Sequence, residues 1–135
     1  MSNTLQDLER FINEPQVEMD PIVRAALVHY QFETAHPFLD GNGRLGRLLI
    51  TLMLINDGVL HSCLFYPSFQ FKKNRSEYYR QLTSVRERGT YEEWIEFFCA
   101  SLLESAKDSV GSLKSLVDLH NRSTAAITEN LGRTA

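Results

Sequence analysis

The stretch His36-Pro37-Phe38-Leu39-Asp40-Gly41-Asn42-Gly43-Arg44-Leu45-Gly46-Arg47 separates a helix that must end from a helix that must begin. Pro37 pushes His36 out of helical geometry, so a helix arriving from the N-terminal side stops there. Gly41 and Gly43 bracket an asparagine, which lets the backbone take positive φ angles and turn successive N–H groups inward as an anion-binding nest. From about Gly43 the sequence turns apolar through residues 48–55 and stops at Gly58. That predicts a helix opening straight out of the nest and buried nearly all round, the central element of the fold.

Working outward, apolar residues recur at three- and four-residue steps. Upstream, Asp20 before Pro21 reads as an N-cap followed by the helical position where proline is comfortable, and Ile22, Val23, Ala26, Leu27 and Tyr30 carry that helix to His36. Leu5, Leu8, Phe11 and Ile12 predict a shorter amphipathic helix before a turn around Asn13-Glu14-Pro15. Downstream, Pro67 and Ser68 introduce a segment rich in aromatics, with Phe69, Tyr78, Leu82 and Val85 facing one side before Gly89 ends it. Thr90 stands three residues before Glu93, the spacing of a capping box, and Trp94, Ile95, Phe98 and Leu102 form the core face of the last helix. From Val110 the pattern loosens through Leu113, Leu116, Val117 and Leu119, and residues 121–135 are polar and weakly patterned, as in a helix that frays. No alternating run is long enough for a strand. The expected fold is all-α: a single compact helical domain over residues 1–110 with its buried central helix after the loop, then a C-terminal helix and tail over residues 111–135.

Composition supports this reading, since 135 residues with 43% hydrophobic content suffice for one domain and hardly for two. A formal net charge of -3 supplies no basic field for a nucleic-acid backbone, so no nucleic acid is expected as a partner. Met1 is followed by polar residues, and residues 48–55 fall far short of the roughly 20 needed for a membrane span. No membrane partner is expected, and the protein is placed in the cytoplasm. Cys63 and Cys99 lack the spacing of a zinc site or a disulfide framework and read as buried thiols. His29 and His61 read as partly buried and His120 as solvated, with no two histidines at metal spacing.

The chemistry concentrates in the loop. A helix N-terminus offers free N–H donors and partial positive charge, so an anion in the nest is held by backbone before any side chain contributes. Arg44 and Arg47 are three apart and share a helix face, where two guanidinium groups can hold neighbouring phosphates. A polyphosphate usually arrives with magnesium, which is held by one or two carboxylates plus phosphate oxygens and water, and Asp40 is assigned to it. His36 is placed to accept a proton from an attacking hydroxyl. Pro37 and Phe38 read as structural, the second anchoring the loop on the core.

These residues resemble the signature of the Fic family, His-Pro-Phe, one variable residue, Asp or Glu, Gly-Asn-Gly-Arg, two variable residues and Arg, with every specified position present between His36 and Arg47. Leu8-Glu9-Arg10-Phe11-Ile12-Asn13, residues 25–33, Asn74-Arg75-Ser76-Glu77-Tyr78-Tyr79 and Trp94-Ile95-Glu96-Phe97-Phe98 look like family segments in the usual order, so the resemblance covers roughly residues 5–110. It implies an all-helical fold and transfer of AMP from ATP to a Ser, Thr or Tyr hydroxyl of a target protein, releasing pyrophosphate. It further implies His36 as base, Asp40 on Mg2+, Gly41, Asn42 and Gly43 around the transferred phosphate, Arg44 and Arg47 on the leaving phosphates, and Asn74 and Tyr78, with Tyr79 beside them, along the base or ribose. A branch that transfers the terminal phosphate departs from the motif at the positions of Gly43 and Arg47; both are intact here.

Two family features are not matched. The resemblance implies a β-hairpin flap upstream of Leu5 that holds the target backbone as an added strand, and the chain begins too late to include one. An inhibitory helix with Ser or Thr, three residues, Glu, then Gly or Asn is also common, but Thr124, Glu129 and Asn130 are one residue out of step, with Ala125 where the hydroxyl belongs. The alternative function is therefore a catalytically silent nucleotide-binding or protein-interaction module from a larger Fic protein. A second copy of the chain is carried as a further partner.

Overall fold

The computed structural model describes residues 2–14 and 18–132, and every regular element among them is an α-helix. They are α1 Ser2–Asn13, α2 Pro21–Ala35, α3 Asn42–Asn56, α4 Ser68–Lys73, α5 Arg75–Arg88 and α6 Tyr91–Gly132. The turn expected at Asn13-Glu14-Pro15 runs into residues outside the described ones. No helix among the described residues is long and apolar enough to cross a membrane.

α2 is the axis of the packing, lying against α1, α3 and α6. Its start follows the sequence, since the Asp20 carboxylate accepts from Ile22 N at 2.8 Å and Val23 N at 3.3 Å. Its end does too: His36 is the C-cap in the left-handed region, φ 44°, with its N–H on Phe32 O. The principal core joins Tyr30 of α2, Ile50 and Leu54 of α3, Phe71 of α4, Tyr78 and Leu82 of α5, and Trp94 and Phe98 of α6. Trp94 is fully buried and donates its indole N–H to Ala26 O at 2.9 Å, tying α6 to α2. A smaller cluster of Leu8, Val28 and Met53 seats α1. One nitrogen of Arg24 reaches both carboxylate oxygens of Asp57, joining the start of α2 to the end of α3.

Several local expectations are corrected. The aromatic-rich segment divides at Asn74, φ -103° and ψ 36°, into α4 and α5. Phe71, not Phe69, is its core residue. Phe69 and Phe71 stand two residues apart on α4, about 200° round its axis, so only one of them can face the core. The Thr90 hydroxyl meets that of Ser84 at 2.6 Å rather than closing a capping box with Glu93. α3 buries one face, Gly46, Ile50, Met53 and Leu54, while Leu45, Leu48 and Leu52 stand exposed, because α1 and α2 cover only one side of it. Cys63 and His61 are exposed on the connection to α4, and Cys99 is half-buried, so neither thiol is the buried one expected. α6 continues unbroken across residue 110.

One polar residue sits wholly inside this core. His29 is fully buried, with Nδ1 3.0 Å from Gly46 O and Nε2 2.9 Å from the Tyr78 hydroxyl. A carbonyl can only accept, so Nδ1 carries the proton, and Nε2 accepts from Tyr78. Burial is the chief reason its pKa falls to about 4. The unfolded chain therefore binds the extra proton between about pH 6.5 and 4, and the stability contributed by neutral His29 is present above that window and lost on descending through it, by up to about 3 kcal/mol. Glu33 opposes this in part, because burial raises its carboxyl and the folded chain then takes up that proton first. The thermal unfolding midpoint, followed by circular dichroism, is expected to fall between pH 7 and pH 4.5. His29→Gln should lower it at pH 7 and flatten the dependence.

Candidate active site

Between α2 and α3 the chain needs only five residues after the His36 cap to reverse direction, and each turn has a local cause. Asp40 Oδ1 accepts from Gly41 N at 2.7 Å, and Gly41 takes φ 82°, where a side chain would be strained. Asn42 then starts α3 and closes a two-way clasp on Phe38, accepting from Phe38 N at 2.9 Å and donating to Phe38 O at 2.6 Å. The residue is buried, and its side-chain amide is spent on loop shape. No side chain caps α3, which leaves its first-turn N–H groups open toward the cavity.

That cavity, of about 510 Å³, is lined by His36, Asp40, the 41–43 turn, Arg44 and Arg47 on one side. Lys72, Arg75, Tyr78 and Tyr79 of α4 and α5 form the opposite wall. Arg44 lies 3.5 Å from Asp40 Oδ2, and both side chains are largely in solvent, so that pair is weak and available to a ligand. Arg47 is held differently. Its Nε donates to Ser68 Oγ at 3.1 Å, and its guanidinium packs where a Cβ on Gly43 would come to 3.1 Å, so a glycine at 43 keeps this arginine over the nest. His36 is exposed at the lip. Beneath the floor, one Glu33 oxygen is buried with no hydrogen-bond partner among the described residues, and burial holds its carboxyl above the usual range.

Asn74 is placed differently from its neighbours, at the exposed junction of α4 and α5 and not among the lining residues. Tyr78 reaches the cavity with its ring, while its hydroxyl is engaged by His29 and held far above the usual phenol range, first by burial and then by Glu33. Ser68, Lys72 and Arg75 were not singled out from sequence. Part of the signal was present, since Arg75 and Tyr79 stand four apart and share a face of α5, whereas Lys72 belongs to α4 across the break. Arg75 lies 5.6 Å from the centre of the Tyr79 ring, a cation–π contact that fixes both on the rim.

No group of three or more His, Cys, Asp or Glu side chains converges among the described residues. Asp40, 93% exposed and facing the open helix end, suits the other kind of site, in which one carboxylate shares a magnesium ion with phosphate oxygens and water.

Residues 1–54 match the model of the Fic/DOC family. "Protein adenylyltransferase fic-1" of Caenorhabditis briggsae is 34% identical over 112 residues, which is 82% of this chain and 21% of that protein. "Protein adenylyltransferase Fic" of Drosophila ananassae is 37% identical over 94 residues, 69% of this chain and 18% of that one. The crystal structure of a Fic family protein from Desulfovibrio desulfuricans G20 superposes with a TM-score of 0.71 at 28% identity, covering 82% of this chain and 33% of that one. The chain thus spans about a fifth of the length of these curated relatives. With the loop, the helical frame and these likenesses in agreement, the chain belongs to the Fic/DOC family.

Proposed function

We propose that this chain is the catalytic core of a protein adenylyltransferase, which moves AMP from ATP to a Ser, Thr or Tyr hydroxyl of a target protein and releases pyrophosphate. The observation that carries the reading is the convergence of His36, Asp40, the uncapped start of α3, Arg44 and Arg47 on one cavity. The names of the relatives point the same way. The catalytic unit is taken as residues 1–110, with residues 111–135 as an arm. The free thiols fit a reducing compartment, and the protein is assigned to the cytoplasm.

In this reading the open N–H groups of the first α3 turn hold the α-phosphate, and Arg44 and Arg47 hold the phosphates beyond it. His36 takes the proton as the target oxygen bonds to the α-phosphorus, while the bond from that phosphorus to the bridging oxygen breaks and its electrons leave with pyrophosphate. Asp40 would hold a magnesium ion, which would supply positive charge against the polyphosphate. Lys72 and Arg75 add positive charge to the opposite wall. ATP labelled at the α-phosphate should leave label covalently on protein. Label only from the γ-phosphate would mean phosphate transfer, and ATP binding without any labelling would favour the silent module.

His36→Ala is expected to lower transfer by about 10²- to 10⁴-fold with ATP affinity nearly unchanged, because the imidazole acts on the hydroxyl and not on the phosphates. Calorimetric titration beside the labelling assay separates the two. For Asp40→Ala, ATP binding should lose its dependence on magnesium; tighter binding in magnesium with transfer intact would refute the metal assignment. Arg47→Ala should weaken ATP about tenfold more than ADP, as one charge-assisted contact to the terminal phosphate is lost. Equal losses would move Arg47 to the phosphates that the two nucleotides share.

A further inference from the structure

The outer half of α6 has no work in the site, yet its sequence is not that of a solvated helix. Ser105 is the last residue of α6 buried against the core, and residues 110–127 are exposed at every position. Gly111, the repeated serines and the β-branched residues are poor helix formers, and an isolated helix of such composition is marginal in water. The chain exposes 9469 Å² for a mass of 15.5 kDa, against roughly 7,200 Å² for a compact monomer of that size.

Most of the apolar residues of this segment fall on one line, with Leu116 beside it and Leu119 off it. Leu103, Ala106, Val110, Leu113, Val117, His120, Thr124 and Ile127 follow one another at alternating steps of three and four, a heptad seam sustained for more than three repeats. The large apolar members, Leu103, Val110, Leu113, Val117 and Ile127, are 40–58% exposed. Leu103 follows Leu102 by one residue and so lies about 100° round the axis from the core-facing side, which leaves the seam accessible beside the core.

We propose that this seam binds a second copy of the chain, the two α6 helices forming a two-stranded coiled coil. Val110 and Val117 at one core position with Leu113 at the other is the combination that favours two strands. His120 and Thr124 interrupt the apolar layers next to one another, and a polar layer of that kind fixes register at some loss of stability. The flanks carry Lys107, Lys114 and Asn121 on one edge and Ser109, Leu116 and Ser123 on the other, so a parallel two-fold pairing, which sets one edge against the other, brings no like charges together across the seam. A contact of standard size, about 800 Å² per partner, removes only about a third of the surplus surface.

Sedimentation equilibrium of the full chain across micromolar to submillimolar concentrations tests this. The mass is expected to rise from 15.5 kDa toward twice that value. The paired substitution Leu113→Glu with Val117→Glu should hold the chain at the monomer mass throughout, with ATP binding and the near-ultraviolet signal of Trp94 unchanged. Ser115→Glu, on the opposite face of the same helix, should leave the dimer intact. A wild-type chain that stays monomeric over the whole range, or a dimer that survives the paired substitution, would overturn the proposal.

Discussion

The two hydrogen bonds of His29 are the constraint on which the rest of the molecule depends. A single imidazole joins α2 to a carbonyl of α3 and a hydroxyl of α5, with the rings of Phe71 and Trp94 stacked against it. The contact exists because position 46 has no side chain. A Cβ there would come to 3.2 Å from the imidazole and 2.6 Å from a Glu33 oxygen, so the carboxylate would have to swing aside and the buried imidazole to give way. The separation of α2 and α3 fixes where the His36 end of one stands relative to the Asn42 start of the other. The shape of the loop is therefore set from the core outward.

The loop divides its labour between chemistry and self-support. Asn42 is consumed in holding Phe38, Ser68 holds Arg47, and the absence of a side chain at Gly43 gives that arginine its place. What faces the cavity is backbone N–H, two guanidinium groups, a carboxylate and an imidazole. A motif read as a row of ligands is in part a row of braces. Residues of the opposite wall supply the remaining positive charge.

Sequence revealed the elements whose ends are written in local chemistry. Asp20-Pro21 and His36-Pro37 bounded α2 because capping and proline geometry act within a few residues. A break in the backbone accounts for part of what was missed. Phe69 was placed on one side with Tyr78, Leu82 and Val85, but the chain divides at Asn74 and the short α4 turns Phe71 to the core. Thr90 and Glu93 had the spacing of a box, yet the threonine hydroxyl meets that of Ser84, which no local capping rule names because it belongs to the preceding helix. The burial of Cys63 could not be judged from its apolar neighbours, since Leu64 beside it is exposed while Phe65 one residue further on is in the core. In the site, the loop was readable as a unit, whereas Lys72 and Arg75 needed the fold to set α4 and α5 across from it.

His36 carries two unrelated obligations at one address. Its side chain stands at the cavity lip, while its backbone occupies the left-handed region that closes α2. Only glycine enters that region freely, and asparagine tolerates it, whereas a β-branched residue resists it. Substitutions at this position therefore fall into two groups that have nothing to do with proton transfer. Glycine or asparagine would give a chain of unaltered shape with an empty lip, and valine or isoleucine would bend the loop itself. Among diverged relatives, those that lost the chemistry but kept the pocket would be recognisable by which of these residues they carry.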